Sequence, residues 1–281
     1  MGKLLHLGEP SHNHGLTHEK HKDMKDSPSE RLKPMLRPST TIQFVDTNKM
    51  KASLVEDEVL DIIRNRYDGF ILHGATAIWR CYGGHRFSTD LDFITNLPLS
   101  QAKPVQKGIR EALTSSNYIV QREWYSEMDE LLIDPVFSVP CHKRKNADKT
   151  LTLHVSFIKN NVAEKIDITF MTARIKYSEV DYLRVDGSKR LVKVLDPETL
   201  LKGKLDKYRD KFNPETYKVQ DLYDITIIKS RVSTISEHVR KSLTMFLEAI
   251  KDVPPKDYQK LHLISGAQIP SFTDMLSSLE T

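Results

Sequence analysis

Asp90 and Asp92 flank Leu91 in the tetrad Asp90-Leu91-Asp92-Phe93, where charged and apolar residues alternate. Successive side chains of a strand leave opposite faces, so the two carboxylates share one face and Leu91 and Phe93 the other. Two carboxylates about 7 Å apart along a strand can jointly hold a hard divalent cation, which prefers oxygen ligands. Upstream, the apolar run Phe70-Ile71-Leu72 leads into a small-residue turn, Gly74-Ala75-Thr76. Backbone amides at such a turn, where a helix begins, can cradle phosphate because the helix dipole favours an anion there. A phosphate cradle followed by a carboxylate strand is an apparatus for magnesium–nucleotide chemistry. The competing reading is an ordinary strand with two solvent-facing aspartates.

Taken together, Gly74-Ala75-Thr76-Ala77, Tyr82-Gly83 and Arg86-Phe87-Ser88-Thr89-Asp90-Leu91-Asp92-Phe93 resemble the first motif of the AbiEii/AbiGii toxin family. That family is a branch of the DNA polymerase β-like nucleotidyltransferases. The resemblance extends over about residues 55–230. One departure is Gly74-Ala75 in place of the family's Gly-Gly: alanine keeps the amide but resists positive φ, which would alter the phosphate grip.

Two later segments bear on the same chemistry. Residues 151–158 and 164–170 are alternating, β-branched runs around Lys159-Asn160-Asn161 and read as a hairpin. Asp167 stands between Ile166 and Ile168 and so faces away from them. The resemblance implies that Asp167 is the third carboxylate, completing the metal site and serving as general base. On the residues alone it is equally a surface strand aspartate. Lys204-Leu205 and Asp221-Leu222-Tyr223-Asp224 resemble the family's late helical motif, with Gln220 where the family carries Arg. The lysine would contact nucleotide phosphates, and Asp221 or Asp224 would support catalysis or orient it. Lys202 and Lys207 are rivals for that role, and a lysine-rich amphipathic helix also reads as a solvated face.

The resemblance therefore implies a catalytic set of Asp90, Asp92, Asp167, Lys204, Asp221 and Asp224. Mg²⁺, or Mn²⁺, would sit on Asp90, Asp92 and Asp167. Gly74, Ala75 and Thr76 would hold the β- and γ-phosphates, Thr76 through its hydroxyl. Arg86 and Lys204 would neutralise the leaving pyrophosphate, and Ser88 would contact the nucleotide or orient the Asp90–Asp92 strand. The implied reaction is NMP transfer from an NTP to an acceptor hydroxyl, with RNA such as a tRNA 3′ end as acceptor. The implied setting is a type IV toxin–antitoxin pair, with a cognate antitoxin protein as partner. Protein nucleotidylation and a non-catalytic nucleotide-binding module are the alternatives.

The bulk of the chain constrains the setting. Of its 281 residues, 28% are charged and 39% hydrophobic, as in soluble globular proteins. No apolar run is long enough to span a bilayer, and the first residues lack the apolar core of a signal peptide. Two distant cysteines exclude a disulfide framework and suit a reducing cytoplasm, with Cys81 as a small core hydrophobe. A net charge of +4 does not announce nucleic-acid binding. Residues 142–149, however, hold four Lys/Arg against one Asp, a patch that could steer an RNA backbone or simply aid solubility.

The elements that must position these groups follow from pattern. A helix over 49–66 has Ser53 and Glu56 as a capping box. A strand at 69–73, a helix at 75–82 and the carboxylate strand at 90–94 come next, then a helix at 104–116. A strand at 118–125 uses Trp124 for sheet packing, and the 151–170 hairpin completes the sheet. A linker containing Asp186-Gly187-Ser188 then leads to helices at 198–211, 215–230 and 234–251. The expected organisation is a flexible segment over 1–48, a nucleotidyltransferase core over 49–175 and a mainly helical C-terminal subdomain over 176–281. The flexible segment carries His6, His12, His14, His18 and His21, whose spacing does not make H-E-x-x-H. The fold class is α+β: a polymerase β-like nucleotidyltransferase mixed sheet flanked by helices, followed by a helical subdomain.

Overall fold

Alternation along the strands decides which side chains enter the core of this protein. The structure, a computed structural model, describes residues 42, 44, 46–128, 150–171, 175–209, 212–261, 263 and 268–280. Its strands are β1 (Ile71–His73), β2 (Asp90–Thr95), β3 (Ile119–Met128), β4 (Thr150–Lys159), β5 (Val162–Phe170), β6 (Tyr177–Leu183) and β7 (Lys189–Leu195). They form one mixed sheet in the order β3-β4-β5-β2-β1-β7-β6. β2 runs parallel to β5 and antiparallel to β1, and β1 runs parallel to β7.

Leu91 and Phe93 of β2, Leu153, Val155 and Phe157 of β4, and Ile166, Ile168 and Phe170 of β5 are all essentially inaccessible to solvent. Each such side chain stabilises the fold by about 1.5–3 kcal/mol through removal of apolar surface from water. Helix α1 (Thr47–Arg66) covers β5, and α3 (Ala102–Ser115) covers β3. The alternate positions, Asp90 and Asp92 on β2, Lys165 and Asp167 on β5 and His154 on β4, lie on the other face. The β4–β5 connection is the two-residue turn read from sequence: Asn160 and Asn161 adopt φ of 52° and 64°, the left-handed pair that matches strand twist.

Two expectations are corrected. Helix α1 starts at Thr47, capped by the Asp46 carboxylate on the Asn48 amide at 2.8 Å. Ser53 and Glu56 are buried in its middle, with Glu56 paired to Arg80, so they form no capping box. The stretch after Phe170 is no linker: β6 and β7 form a hairpin that adds to the sheet through Leu72 and Val194. Asp186-Gly187-Ser188 is its turn, with Gly187 at φ 81° and the Asp186 carboxylate accepting from the Ser188 amide. A boundary after residue 175 thus separates this hairpin from the sheet to which it belongs.

Helices α2 (Gly74–Tyr82), α4 (Pro197–Asp206), α5 (Val219–Lys229), α6 (Glu237–Ile250) and α7 (Phe272–Glu280) complete the described elements. α4 begins with Pro197 behind an Asp196 cap, whose side chain accepts from the Thr199 amide. No helix among the described residues is long and apolar enough to cross a membrane. The five N-terminal histidines and the 142–149 basic patch lie outside the described residues.

Candidate functional site

Strand register assembles a row of polar side chains that the linear sequence scatters. His73 of β1 is opposite Asp92 of β2, Asp92 opposite Asp167 of β5, Asp167 opposite His154 of β4, and His154 opposite Trp124 of β3. Directly opposed residues share a face. Asp90 lies on the same face, opposite Lys165. Burial, with the Asp167 and Asp90 carboxylates adding to it, pushes Asp92 up to about 7. The row therefore holds more negative charge than it can comfortably keep without a cation.

Asp167 is held from two sides. His154 Nδ1 lies 2.8 Å from its Oδ1, and Lys165 Nζ 2.8 Å from its Oδ2. His154 Nε2 lies 2.6 Å from Ser126 Oγ, and the imidazole stacks on Trp124 with centroids 4.9 Å apart and planes 16° from parallel. The tautomer with the proton on Nδ1 satisfies both hydrogen bonds: Ser126 donates to Nε2 and Nδ1 donates to Asp167. Trp124 thus does more than pack the sheet, because it braces the ring that holds Asp167. His73, Ser126, His154 and Lys165 were not singled out from sequence. The available signal was alternation, since each falls on the polar positions of an alternating strand.

At the other end of the row, Gly74 has φ of 73°, and a Cβ there would lie 2.2 Å from Asp92 Oδ2. Only glycine supplies both the backbone conformation and the space. Among the described residues, positive φ in non-glycines occurs at Asn117, Asn160 and Asn161. Ala75 therefore bears no backbone strain, and the expected change of grip does not arise from its conformation. Thr76 is a correction: it is fully buried and its hydroxyl donates to the Asp90 carbonyl at 2.7 Å, tying α2 to the carboxylate strand instead of facing phosphate. Burial lowers His73 to about 4, so its imidazole is neutral at pH 7.

A second cluster joins α4, α5 and the segment before β2. Arg86 makes a bidentate pair with Asp224, Nε to Oδ1 at 2.9 Å and Nη2 to Oδ2 at 2.7 Å. Lys204 Nζ donates to Asp221 Oδ1 and Asp224 Oδ2, both at 2.7 Å, and Tyr208 donates to Asp221 Oδ2 at 2.7 Å. Burial alone would lower the lysine, but Asp224 and Asp221 outweigh it and raise its pKa, while Lys204 and Arg86 overcome burial and hold Asp224 low. Two expectations change here. The α4 lysine is buried, not on a solvated face, and Arg86 is engaged by Asp224 instead of standing free. Of the rivals, Lys202 pairs with Asp206 at 3.0 Å, whereas the more exposed Lys207 lies 3.7 Å from Asp221. The charges of Lys204 and Lys207 are felt by His73, and that of Lys204 by Asp92, so this cluster faces the carboxylate row. Ser88 lines a cavity together with Arg86 and Asp90.

The donor set suits Mg²⁺. Among the described residues no three His, Cys, Asp or Glu side chains converge into a ready-made cage. Mg²⁺ is usually bound through one or two carboxylates plus substrate phosphates, and Asp90 with Asp92 beside the glycine turn offers that arrangement.

Comparison with known proteins agrees with this geometry. Residues 64–274 match the family model described as nucleotidyl transferase AbiEii toxin, type IV toxin–antitoxin system. A sequence search of curated proteins finds no match. Among solved structures, the chain is similar to a candidate nucleotidyltransferase from H. pylori, at 16% identity and a TM-score of 0.51, over 81% of this chain and 92% of that one. It is also similar to JHP933 from Helicobacter pylori, at 15% identity and a TM-score of 0.50, over 81% and 89% respectively. At these identities the likeness concerns the fold.

Proposed function

The chain belongs to the AbiEii family of nucleotidyl transferase toxins, and on that premise we propose that it moves an NMP unit from an NTP to a hydroxyl of an RNA acceptor. The observation that carries the reading is the row itself: Asp92 opposite Asp167, Asp90 on the same face, and a glycine turn whose missing side chain leaves room for Asp92. Mg²⁺, or Mn²⁺ in its place, held by Asp90 and Asp92 with Asp167 as third ligand, would neutralise the triphosphate and polarise the phosphorus under attack.

The remaining roles belong to the chain. The amides of Gly74 and Ala75, at the start of α2, bind the β- and γ-phosphates. Asp167 takes the proton of the acceptor hydroxyl, and His154 with Lys165 sets the direction in which its oxygens point. The acceptor oxygen bonds to the α-phosphorus as the bond to the bridging oxygen breaks, and pyrophosphate leaves. Lys204 has three N–H groups, two of them on Asp221 and Asp224, so one remains for a phosphate oxygen. Asp221 and Asp224 orient it, and Arg86 anchors that pair to the segment leading into β2. A tRNA 3′ end is the proposed acceptor, a cognate antitoxin the protein partner and the cytoplasm the site of action; the type IV toxin–antitoxin description of the family supports these assignments.

The test incubates the protein with each α-phosphate-labelled NTP, Mg²⁺ and either total tRNA or total cell protein. Label on RNA is expected. Label on protein would replace the acceptor, and absence of label from both would leave a nucleotide-binding module without turnover.

A further inference from the structure

A cavity of about 280 Å³ opens beside Asp90, walled by Lys49, Arg86, Phe87, Ser88, Thr89, Asp90, Gln220 and Lys260. Its charges are unbalanced. Arg86 is engaged by Asp224, but among the described residues neither Lys49 nor Lys260 has a carboxylate partner. Lys49 instead lies over the Phe87 ring at 5.6 Å. Lys260 reaches the cavity because its carbonyl accepts from the Gln220 side-chain amide at 3.3 Å, joining the segment after α6 to the start of α5. Two uncompensated ammonium groups, an aromatic ring and an amide, set around a carboxylate of the catalytic strand, suit a ligand that carries both phosphate and planar bases.

The donor triphosphate does not need this place. Its cradle is the Gly74 turn against Asp92, and neither residue lines the cavity. We propose that the cavity is the acceptor-strand subsite: Lys49 and Lys260 hold backbone phosphates of a single-stranded nucleic acid, and Phe87 and Gln220 receive an unpaired base. This rests on the nucleotidyl-transfer reading above and adds to it the class of acceptor and the residues that recognise it. The site selects a flexible, phosphate-rich strand over a protein side chain, because a protein hydroxyl offers nothing for two lysines to neutralise.

The experiment uses the full chain and a fluorescently labelled oligoadenylate, with anisotropy titrations across a range of salt concentrations. Lys49→Gln and Lys260→Gln alter side chains that touch none of the catalytic groups, and neither is buried. The double variant is expected to bind the strand about tenfold more weakly near 0.1 M salt and to lower the slope of log K against log salt by about 1.4, roughly 0.7 per lysine. NTP affinity should not change. An unchanged salt slope overturns the proposal, and so does a parallel loss of NTP affinity, which would assign the cavity to the donor. Label transferred to protein, with no lysine-dependent oligoadenylate binding, sinks the subsite and leaves the transfer reading standing. Lysine-dependent binding by a protein that transfers no label supports the subsite and counts against the transfer reading alone.

Discussion

The carboxylate row of the sheet and the Lys204 cluster between α4 and α5 solve opposite electrostatic problems. In the row, Asp90, Asp92 and Asp167 crowd like charges on one face, and Asp92 is pushed up to about 7. In the cluster, Asp221 and Asp224 are saturated by Lys204, Arg86 and Tyr208 at hydrogen-bonding distance. A site left short of positive charge is poised to gain a cation or a bound substrate. A site already neutralised is a scaffold, whose members matter first for holding the helices against the segment that enters β2. Substitutions in the two regions should therefore fail in different ways.

The largest effect belongs to the scaffold. Lys204→Ala leaves Asp221 and Asp224 short of a buried partner and should destabilise the protein by about 3–5 kcal/mol in denaturant unfolding. Adding Asp221→Asn should restore part of that loss, since the two residues are coupled. Stability unchanged by Lys204→Ala would dissolve the contrast between the regions.

Asp92→Asn should do the reverse. It is expected to cut kcat/KM by about a hundred- to a thousandfold, the scale for losing one group that stabilises transition-state charge, while the fold survives. It also changes the pH dependence of stability. A carboxyl raised in the folded state contributes stability that is complete below about pH 3.9 and lost as pH rises through about 7. The metal-free wild type should accordingly lose thermal midpoint between about pH 5 and 8 more steeply than Asp92→Asn. Glu164, raised to about 8 mainly by burial, steepens both curves alike, so the difference between them is the measurement. Identical curves would mean that the row is not electrostatically frustrated.

Smaller effects probe the supports of each region. His154→Ala removes the group that directs Asp167 and should lower kcat by about 10–100-fold with little change in KM for NTP, as for residues that orient a metal ligand. His154→Asn, which can still donate to Asp167, should recover part of it; a KM effect without a kcat effect would contradict the orienting role. Thr76→Val keeps the volume but leaves the Asp90 carbonyl without its donor, and should reduce stability by about 1–3 kcal/mol. Unaltered stability in urea unfolding would show that α2 needs no such tie to β2.

Much of the architecture was legible in sequence because it depends on local pattern. The β4–β5 hairpin could be read because alternation and two adjacent asparagines specify its register and turn. The β6–β7 hairpin was missed because Tyr177–Leu183 and Lys189–Leu195 are charged edge strands, which resemble a linker until β1 offers them a partner. Thr76 and Arg86 were placed near the substrate by motif, but motif position does not reveal that a hydroxyl or guanidinium already has a protein partner.

What the sequence determined by itself was which face of each strand bears carboxylates, since the two-residue period of a strand and the apolar neighbours Leu91, Phe93, Ile166 and Ile168 admit one arrangement. What only the tertiary structure decided was which of those faces meet. The parallel register of β2 and β5 sets Asp92 against Asp167, the antiparallel register of β4 brings His154 to the same carboxylate, and the docking of α4 and α5 buries Lys204 between two aspartates. Each of these is a contact between residues distant in the chain, and it is set by the packing of whole elements, a quantity that no local period contains.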